Sequence, residues 1–177
     1  RLTGVALPVY TSTGPGPMNL TIALANAFYD SSAFLAITGQ VTTDQFDTGA
    51  LQEEYRYFAG DFPSVIRPIV KHSWQVRKVE DLPRYLPKAF KLMRTGRPGP
   101  CHLDIPYDIY IHKADVEIPE PANWSTPVNW RTPASPEAVE KALDMLVKAP
   151  RPLLLAGGGV MISEGMEELK ALANYLN

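Results

Sequence analysis

Four short stretches carry the residue types that could do chemistry. The first, Thr11-Ser12-Thr13-Gly14-Pro15-Gly16-Pro17-Met18-Asn19, lies between an apolar run and a segment of helical spacing. Gly14 and Gly16 let the backbone pass close to a ligand, and the helix start beyond them presents free N–H groups and partial positive charge. An ordinary strand-to-helix turn would use the same residues. The second is Gly39-Gln40-Val41, with Gln52-Glu53-Glu54 downstream. A glutamine amide both donates and accepts, which suits orienting a polar substrate at the end of a strand. Two solvated glutamines would read the same way. The third, Gly96-Arg97-Pro98-Gly99-Pro100, leads into Cys101-His102-Leu103-Asp104-Ile105-Pro106. An arginine held between glycine and proline suits a phosphate or carboxylate, or simply a solvated turn. The fourth places Gly157, Gly158 and Gly159 directly after Leu153-Leu154-Leu155-Ala156. Such glycines can cradle a pyrophosphate, but Ile162 stands where the dinucleotide fingerprint requires its last glycine.

Other chemistry is thin. His72, His102 and His112 have no metal-type spacing with one another or with Cys101, so no metal site is expected from them. Cys101 and His102 sit in an apolar run and are expected in the core. Lys78, Lys88 and Lys91 are expected to coat a solvated face.

These stretches need elements to hold them. Nearly continuous apolar runs at Val5 to Val9, Phe34 to Thr38, Cys101 to Ile105 and Leu153 to Ala156 read as strands covered on both faces. Helical spacing fills the intervals. Leu20, Ile22, Leu24, Ala27 and Phe28 repeat over Pro17 to Tyr29, and Leu82, Leu86, Ala89, Phe90 and Met93 over Asp81 to Met93. Ser135 can cap a helix with Pro136 at its first position and Ala138, Leu143 and Leu146 inward. A last helix runs from Glu164 to Leu176 through Met166, Leu169 and Leu172. Alternating strands and helices predict an α/β fold with a mainly parallel sheet and helices on both faces.

The segment from Lys113 to Pro136 breaks the rhythm with Pro119, Pro121, Pro127, Pro133 and Pro136. It reads as an extended linker, with Trp124 and Trp130 pinning it to a domain. The organisation expected is a domain over 1–112, a Pro-rich linker over 113–134, and the start of a second α/β domain over 135–177. The chain is expected to be an internal piece of a longer protein, since it opens without Met almost directly on an apolar strand.

Composition narrows the function. A net charge of −2 and pI of about 5.9 argue against nucleic acid and anionic membranes as partners. No apolar run approaches the roughly 20 residues that span a bilayer. The single cysteine, Cys101, excludes an internal disulfide and suits a reducing, cytoplasmic compartment.

In order, these pieces are more specific than any one alone. Ser12-Thr13-Gly14-Pro15-Gly16 with Asn19, Gly39-Gln40-Val41, Leu51-Gln52-Glu53, Val70-Lys71-His72, Gly96 to Pro100, Asp104-Ile105-Pro106, and Arg151-Pro152 with Gly157 to Gly159 span the chain. The series resembles the thiamine diphosphate (ThDP)-dependent decarboxylase and carboligase family, in its acetolactate synthase pattern. The resemblance implies a partial pyrimidine-binding domain in residues 1–112 and the opening of a central, FAD- or nucleotide-binding-like domain in 135–177. It implies that Pro15 and Asn19 line the ThDP site and that Gln52 reaches the reacting centre. Gln40, Leu51 and Tyr107 would lie along the substrate channel. In members that carry FAD, the positions of Arg97, Gly157, Gly158 and Gly159 touch the flavin.

The resemblance also implies a 2-keto acid substrate and a homodimer or tetramer. The glutamate that activates ThDP would lie upstream of Arg1, and the diphosphate and Mg2+ site in a C-terminal domain, so this chain alone is expected to be inactive. Leu51, Thr42 and Tyr107 depart from the residues the family usually has there (phenylalanine, proline and lysine). A sister lyase or decarboxylase with a non-pyruvate substrate therefore stays open. So do a non-catalytic nucleotide- or FAD-binding module and a purely structural or partner-binding domain.

Overall fold

The computed structural model describes residues 5–53, 61–124 and 133–176. The chain forms two compact units, Arg1–Pro127 and Val128–Asn177.

The first unit is built on four parallel strands: β1 (Pro8–Thr11), β2 (Leu35–Gln40), β3 (His72–Gln75) and β4 (Cys101–Pro106), in the order β1-β2-β4-β3. The central pair shows why the sequence reads as it does. All six residues of β4 are buried and five of the six in β2, so neither strand alternates. The expected opening strand proves shorter and more exposed. It starts at Pro8 and lies at the sheet edge, with Val9 and Tyr10 exposed and Val5 and Leu7 outside it. At the opposite edge lies β3, which the apolar runs do not predict. Its sequence, His-Ser-Trp-Gln, carries no apolar run because an edge strand is only half covered.

The chain path decides which face each helix covers. From β1 to β2 and on to β3 the chain crosses the sheet in one direction, and from β3 to β4 it returns. Right-handed crossovers then put the first helices on one face and the later one on the other. Helix α1 (Pro15–Tyr29) and the short α2 (Phe62–Ile66) bury Leu20, Leu24, Phe62 and Ile66 against Ala36 and Val70. Helix α3 (Leu82–Arg94) buries Ala89 and Met93 against Leu35, Leu103 and Ile105. Each large side chain so buried contributes about 1.5–3 kcal/mol. Ile22, expected inward, is 81% exposed on the outer side of α1. After β4 comes α4 (Tyr107–Ile111). Trp124 is pinned as expected: its indole donates to the Pro119 carbonyl at 3.1 Å and its ring lies 5.6 Å from that of Phe90. Trp130 lies outside the described residues.

The second unit holds α5 (Pro136–Lys148), α6 (Gly158–Ile162) and α7 (Met166–Tyr175). Ser135 caps α5 as its sequence predicts, its Oγ accepting the Ala138 N–H at 3.4 Å with Pro136 at the first position. None of the three helices has a buried residue. Ala138 and Leu143, expected inward, are exposed, while Leu146 is half-buried. The strand expected at Leu153 to Ala156 does not form. Leu153 and Leu155 are 85% and 94% exposed, because among the described residues of this unit no second strand supplies hydrogen-bond partners.

Candidate functional site

Parallel sheets bind ligands at the carboxyl ends of their strands, and a cavity of about 390 Å3 lies there in the first unit. Its walls come from the loop after β1 (Ser12, Thr13), the end of β2 (Thr38, Gln40), the following loop (Thr42) and the start of α4 (Tyr107). Asp108 ties that rim together, its carboxylate accepting the Thr43 N–H at 3.0 Å and the Thr43 hydroxyl at 2.6 Å. Burial is the largest single influence and raises the Asp108 pKa, but these bonds, with those from the Asp108 and Ile109 backbone, together hold it below the ordinary carboxylate value.

Thr13 sits at the junction of the predicted motifs. Its hydroxyl lies 3.4 Å from Gln40 Oε1 and 3.2 Å from the Gln52 carbonyl, so residues far apart in sequence converge on one loop. Gln40 is 2% exposed, and its Oε1 also accepts the Val41 N–H at 2.9 Å. That bond fixes the amide's orientation and leaves Nε2 without a partner among the described residues. Gln40 is therefore a buried wall of the cavity, not a solvated glutamine.

Gly14 explains the glycine of the first motif. Its φ of 64° and ψ of −114° belong to a region that side chains other than glycine rarely enter. A Cβ there would also lie 2.8 Å from Gln52 Cβ. The absent side chain lets Gln52 pack against the turn that starts α1. Pro15 and Asn19, on the first turns of α1, are exposed beside it. Gln52 is itself exposed, as are Leu51 (87%) and Tyr107 (58%).

The third motif is put to a different use. Arg97 Nε donates to Ser31 Oγ at 2.8 Å, and Nη2 to the Phe28 and Tyr29 carbonyls at 3.0 and 2.8 Å. A cation thus caps the electronegative C-terminal end of α1. Lys71 anchors the same loop, donating from Nζ to the Thr95 and Arg97 carbonyls at 2.6 and 2.9 Å, and desolvation lowers its pKa. Lys71→Met keeps the aliphatic stem and removes both charged bonds. It is expected to cost about 1.5–3 kcal/mol in thermal or denaturant unfolding, and an unchanged midpoint would refute the anchoring role. The fourth motif lies in the other unit. Gly157, Gly158 and Gly159 are exposed, with nothing within 4 Å of where a Cβ would stand on Gly157 or Gly159.

Sequence reasoning missed one constellation. Thr38, His102 and Asp104 are all buried to 1% exposure or less on the α1–α2 face of the sheet. The Thr38 hydroxyl donates to Asp104 Oδ1 at 3.1 Å and lies 2.8 Å from His102 Nε2. Ser73 Oγ lies 2.8 Å from His102 Nδ1, and Gln75 Nε2 donates to Asp104 Oδ2 at 3.0 Å. A neutral imidazole protonated on Nε2 satisfies every partner: Ser73 donates to it, it donates to Thr38, and Thr38 donates to the carboxylate. Burial depresses the His102 pKa to about 3. Burial likewise pushes Asp104 up to about 6, with Asp61 adding repulsion and the bonds from Gln75 and Thr38 opposing. The available signal was polar residues at alternate positions of three strands: Thr38 and Gln40, Ser73 and Gln75, His102 and Asp104. Cys101 is core, as expected, its thiol pushed up to about 12 by burial despite the nearby Lys71 ammonium.

The fold and its strand-end site define a parallel α/β domain of the kind that seats a small molecule or cofactor beside a glycine turn. Comparison with known proteins specifies it. Residues 1–59 match the family model for the thiamine pyrophosphate enzyme, N-terminal TPP binding domain. The chain is 38% identical to a probable acetolactate synthase large subunit of Methanocaldococcus jannaschii over 178 residues, covering 99% of this chain and 29% of the relative. It is 37% identical to the acetolactate synthase isozyme 2 large subunit of Escherichia coli, covering 96% of this chain and 29% of the relative. An acetolactate synthase large subunit of Buchnera aphidicola from Schizaphis graminum is also 37% identical, over 100% of this chain and 30% of its own length. The chain is thus similar over nearly its whole length to acetolactate synthase large subunits, its first third matches the TPP binding domain of thiamine pyrophosphate enzymes, and it spans under a third of the length of these relatives.

Proposed function

We propose that the protein to which this chain belongs decarboxylates a 2-keto acid and transfers the remaining fragment to an acceptor, a reading supported by its similarity to proteins named acetolactate synthase. The observation that carries this reading is the convergence of Thr13, Gly14, Gln40 and Gln52 beside the strand-end cavity. Those residues fit the cofactor. The glycine turn admits close approach, Pro15 and Asn19 stand exposed on the helix start, and the buried Gln40 amide keeps an unpartnered donor. When bound, ThDP supplies the nucleophilic carbon and the electron sink that decarboxylation requires.

The chain's own residues bind and orient. Pro15 and Asn19 would face the aminopyrimidine and thiazolium. Gln52 would donate to or accept from the substrate near the reacting carbon, and Gln40, Leu51 and Tyr107 would line the approach. The exposure of Leu51 and Tyr107 suits positions that a partner subunit covers, in a homodimer or tetramer. Mg2+, the diphosphate and the activating glutamate would be held by parts of the relatives that this chain does not span. FAD, in this reading, would lie against Gly157, Gly158 and Gly159 of the second unit, the start of a nucleotide-binding-like domain. Arg97 would also contact it, as the resemblance implies. No described helix is long and apolar enough to cross a membrane, and a cytoplasmic location fits this chemistry.

A second reading, a sister lyase or decarboxylase acting on another 2-keto acid, is favoured by Thr42 and Tyr107. Both line the cavity and both depart from the family's usual residues. The deciding experiment supplies the full-length protein with pyruvate, Mg2+ and ThDP, following acetolactate and CO2 with and without FAD. Acetolactate is the expected product. CO2 without acetolactate would move the function to the sister enzymes, and turnover independent of ThDP would overturn both.

A further inference from the structure

We propose that Glu53 is a positioning residue: its carboxylate shapes the loop that presents Gln52 to the reacting centre. The inference rests on the role of Gln52 given above and deepens it. After β2 the chain passes through a 3-10 turn at Thr43–Gln45 and folds back on itself before Glu53. Three successive parts of that loop point their amides at one side chain. Glu53 Oε1 accepts the Asp47 N–H, and Oε2 accepts the Gly49 and Ala50 N–H groups at 2.7 and 3.2 Å. The Glu53 N–H in turn donates to the Ala50 carbonyl at 3.1 Å.

The loop needs such a clasp. Asp47, Gly49 and Gln52 all have left-handed backbone angles, with φ of 61°, 77° and 62°. For Asp47 and Gln52 that conformation is unfavourable, and it persists only where surrounding bonds impose it. A carboxylate accepting several backbone N–H groups makes strong, charge-assisted bonds. The left-handed turn at Gln52 sets its carbonyl on the Thr13 hydroxyl and its Cβ against Gly14. The Gln52 side-chain amide makes no hydrogen bond among the described residues and is exposed, so it is free to meet a ligand. Glu53 does not line the cavity. It acts through Gln52.

The test uses the full-length protein loaded with ThDP and Mg2+. Glu53→Ala is expected to lower kcat on the order of 10- to 100-fold, as a misplacement of about 1 Å does. Gln52→Ala should lose a similar factor, and the double variant should lose no more than the worse single one. Glu53→Gln keeps one acceptor oxygen and should recover part of the loss. Hydrogen exchange gives the readout independent of catalysis. The Asp47, Gly49 and Ala50 amides should lose protection in Glu53→Ala and keep it in Gln52→Ala, with the thermal midpoint little changed in Glu53→Gln. Unchanged protection, or losses that simply multiply in the double variant, would overturn the positioning role. If Gln52→Ala alone left kcat untouched, the role of Gln52 would fall and this inference with it. Full activity in Glu53→Ala beside an impaired Gln52→Ala would sink the inference alone.

Discussion

Replacing the buried imidazole, as His102→Leu, is expected to make the protein gain stability relative to the parent on acidification between pH 6 and pH 4. The argument is one of linkage. His102 is neutral in the fold, with a pKa depressed from 6.5 to about 3. Its contribution is therefore fully present above pH 6.5 and is lost as the pH falls toward 3, by about 1.4 kcal/mol per pH unit. Asp104 does the opposite. Its pKa is raised from 3.8 to about 6, so its contribution is fully present below pH 3.8 and is lost as the pH rises through 6. Between pH 6 and 4 the native state takes up a proton at Asp104 while the unfolded state takes one up at His102, and the two slopes oppose each other. Below pH 3.8, of this pair only the histidine slope is left.

His102→Leu should lower the midpoint at pH 7, because Ser73 and Thr38 each lose a buried partner, at about 1–3 kcal/mol in all. On acidification the variant should then recover ground against the parent. Asp104→Asn should show the reverse, losing stability steadily below pH 6.5. Thermal midpoints of all three proteins between pH 4 and 7.5 decide it. Parallel profiles would mean that the buried network does not titrate as its environment requires.

In the full-length protein, Gly14→Ala is expected to impair the proposed catalysis by 100-fold or more while leaving the protein folded. Two effects act at that position. The backbone angles exclude most side chains, at about 1–3 kcal/mol, and the new methyl would lie 2.8 Å from Gln52 Cβ and 3.0 Å from its carbonyl oxygen. Gly96→Ala separates the two. Gly96 also has a left-handed φ, 63°, but no atom lies within 4 Å of its added Cβ. The Gly96 variant should therefore lose a little stability and no Gln52-dependent activity. The Gly14 variant should lose both, because the loop bearing Gln52 must move. Equal kcat values in the two variants would show that Gly14 serves the backbone alone.

Much of this architecture was legible in the residues. The central strands, α1, α3 and the capped start of α5 follow from apolar runs, helical spacing and the Ser135-Pro136 pair, all of which are local. Failures cluster where burial depends on neighbours. The edge strand His72–Gln75 has no apolar signature because one side of it is uncovered. Leu153 to Ala156 has the signature without the partner strand that would make it a strand.

For the site, the sequence by itself determined the order of the motifs, and with it the resemblance to thiamine pyrophosphate enzymes. It also placed glycine at position 14 and paired Gln52 with Glu53 in one loop. Only the tertiary structure decided how those residues are used. It made Gln40 a buried wall, spent Arg97 on the end of α1, and brought His102, Asp104, Thr38, Ser73 and Gln75 from three strands into one hydrogen-bonded chain. The reason is physical. Spacing along a chain sets local conformation, but the worth of a polar group depends on its dielectric surroundings and its partners, and those exist only once distant strands have paired.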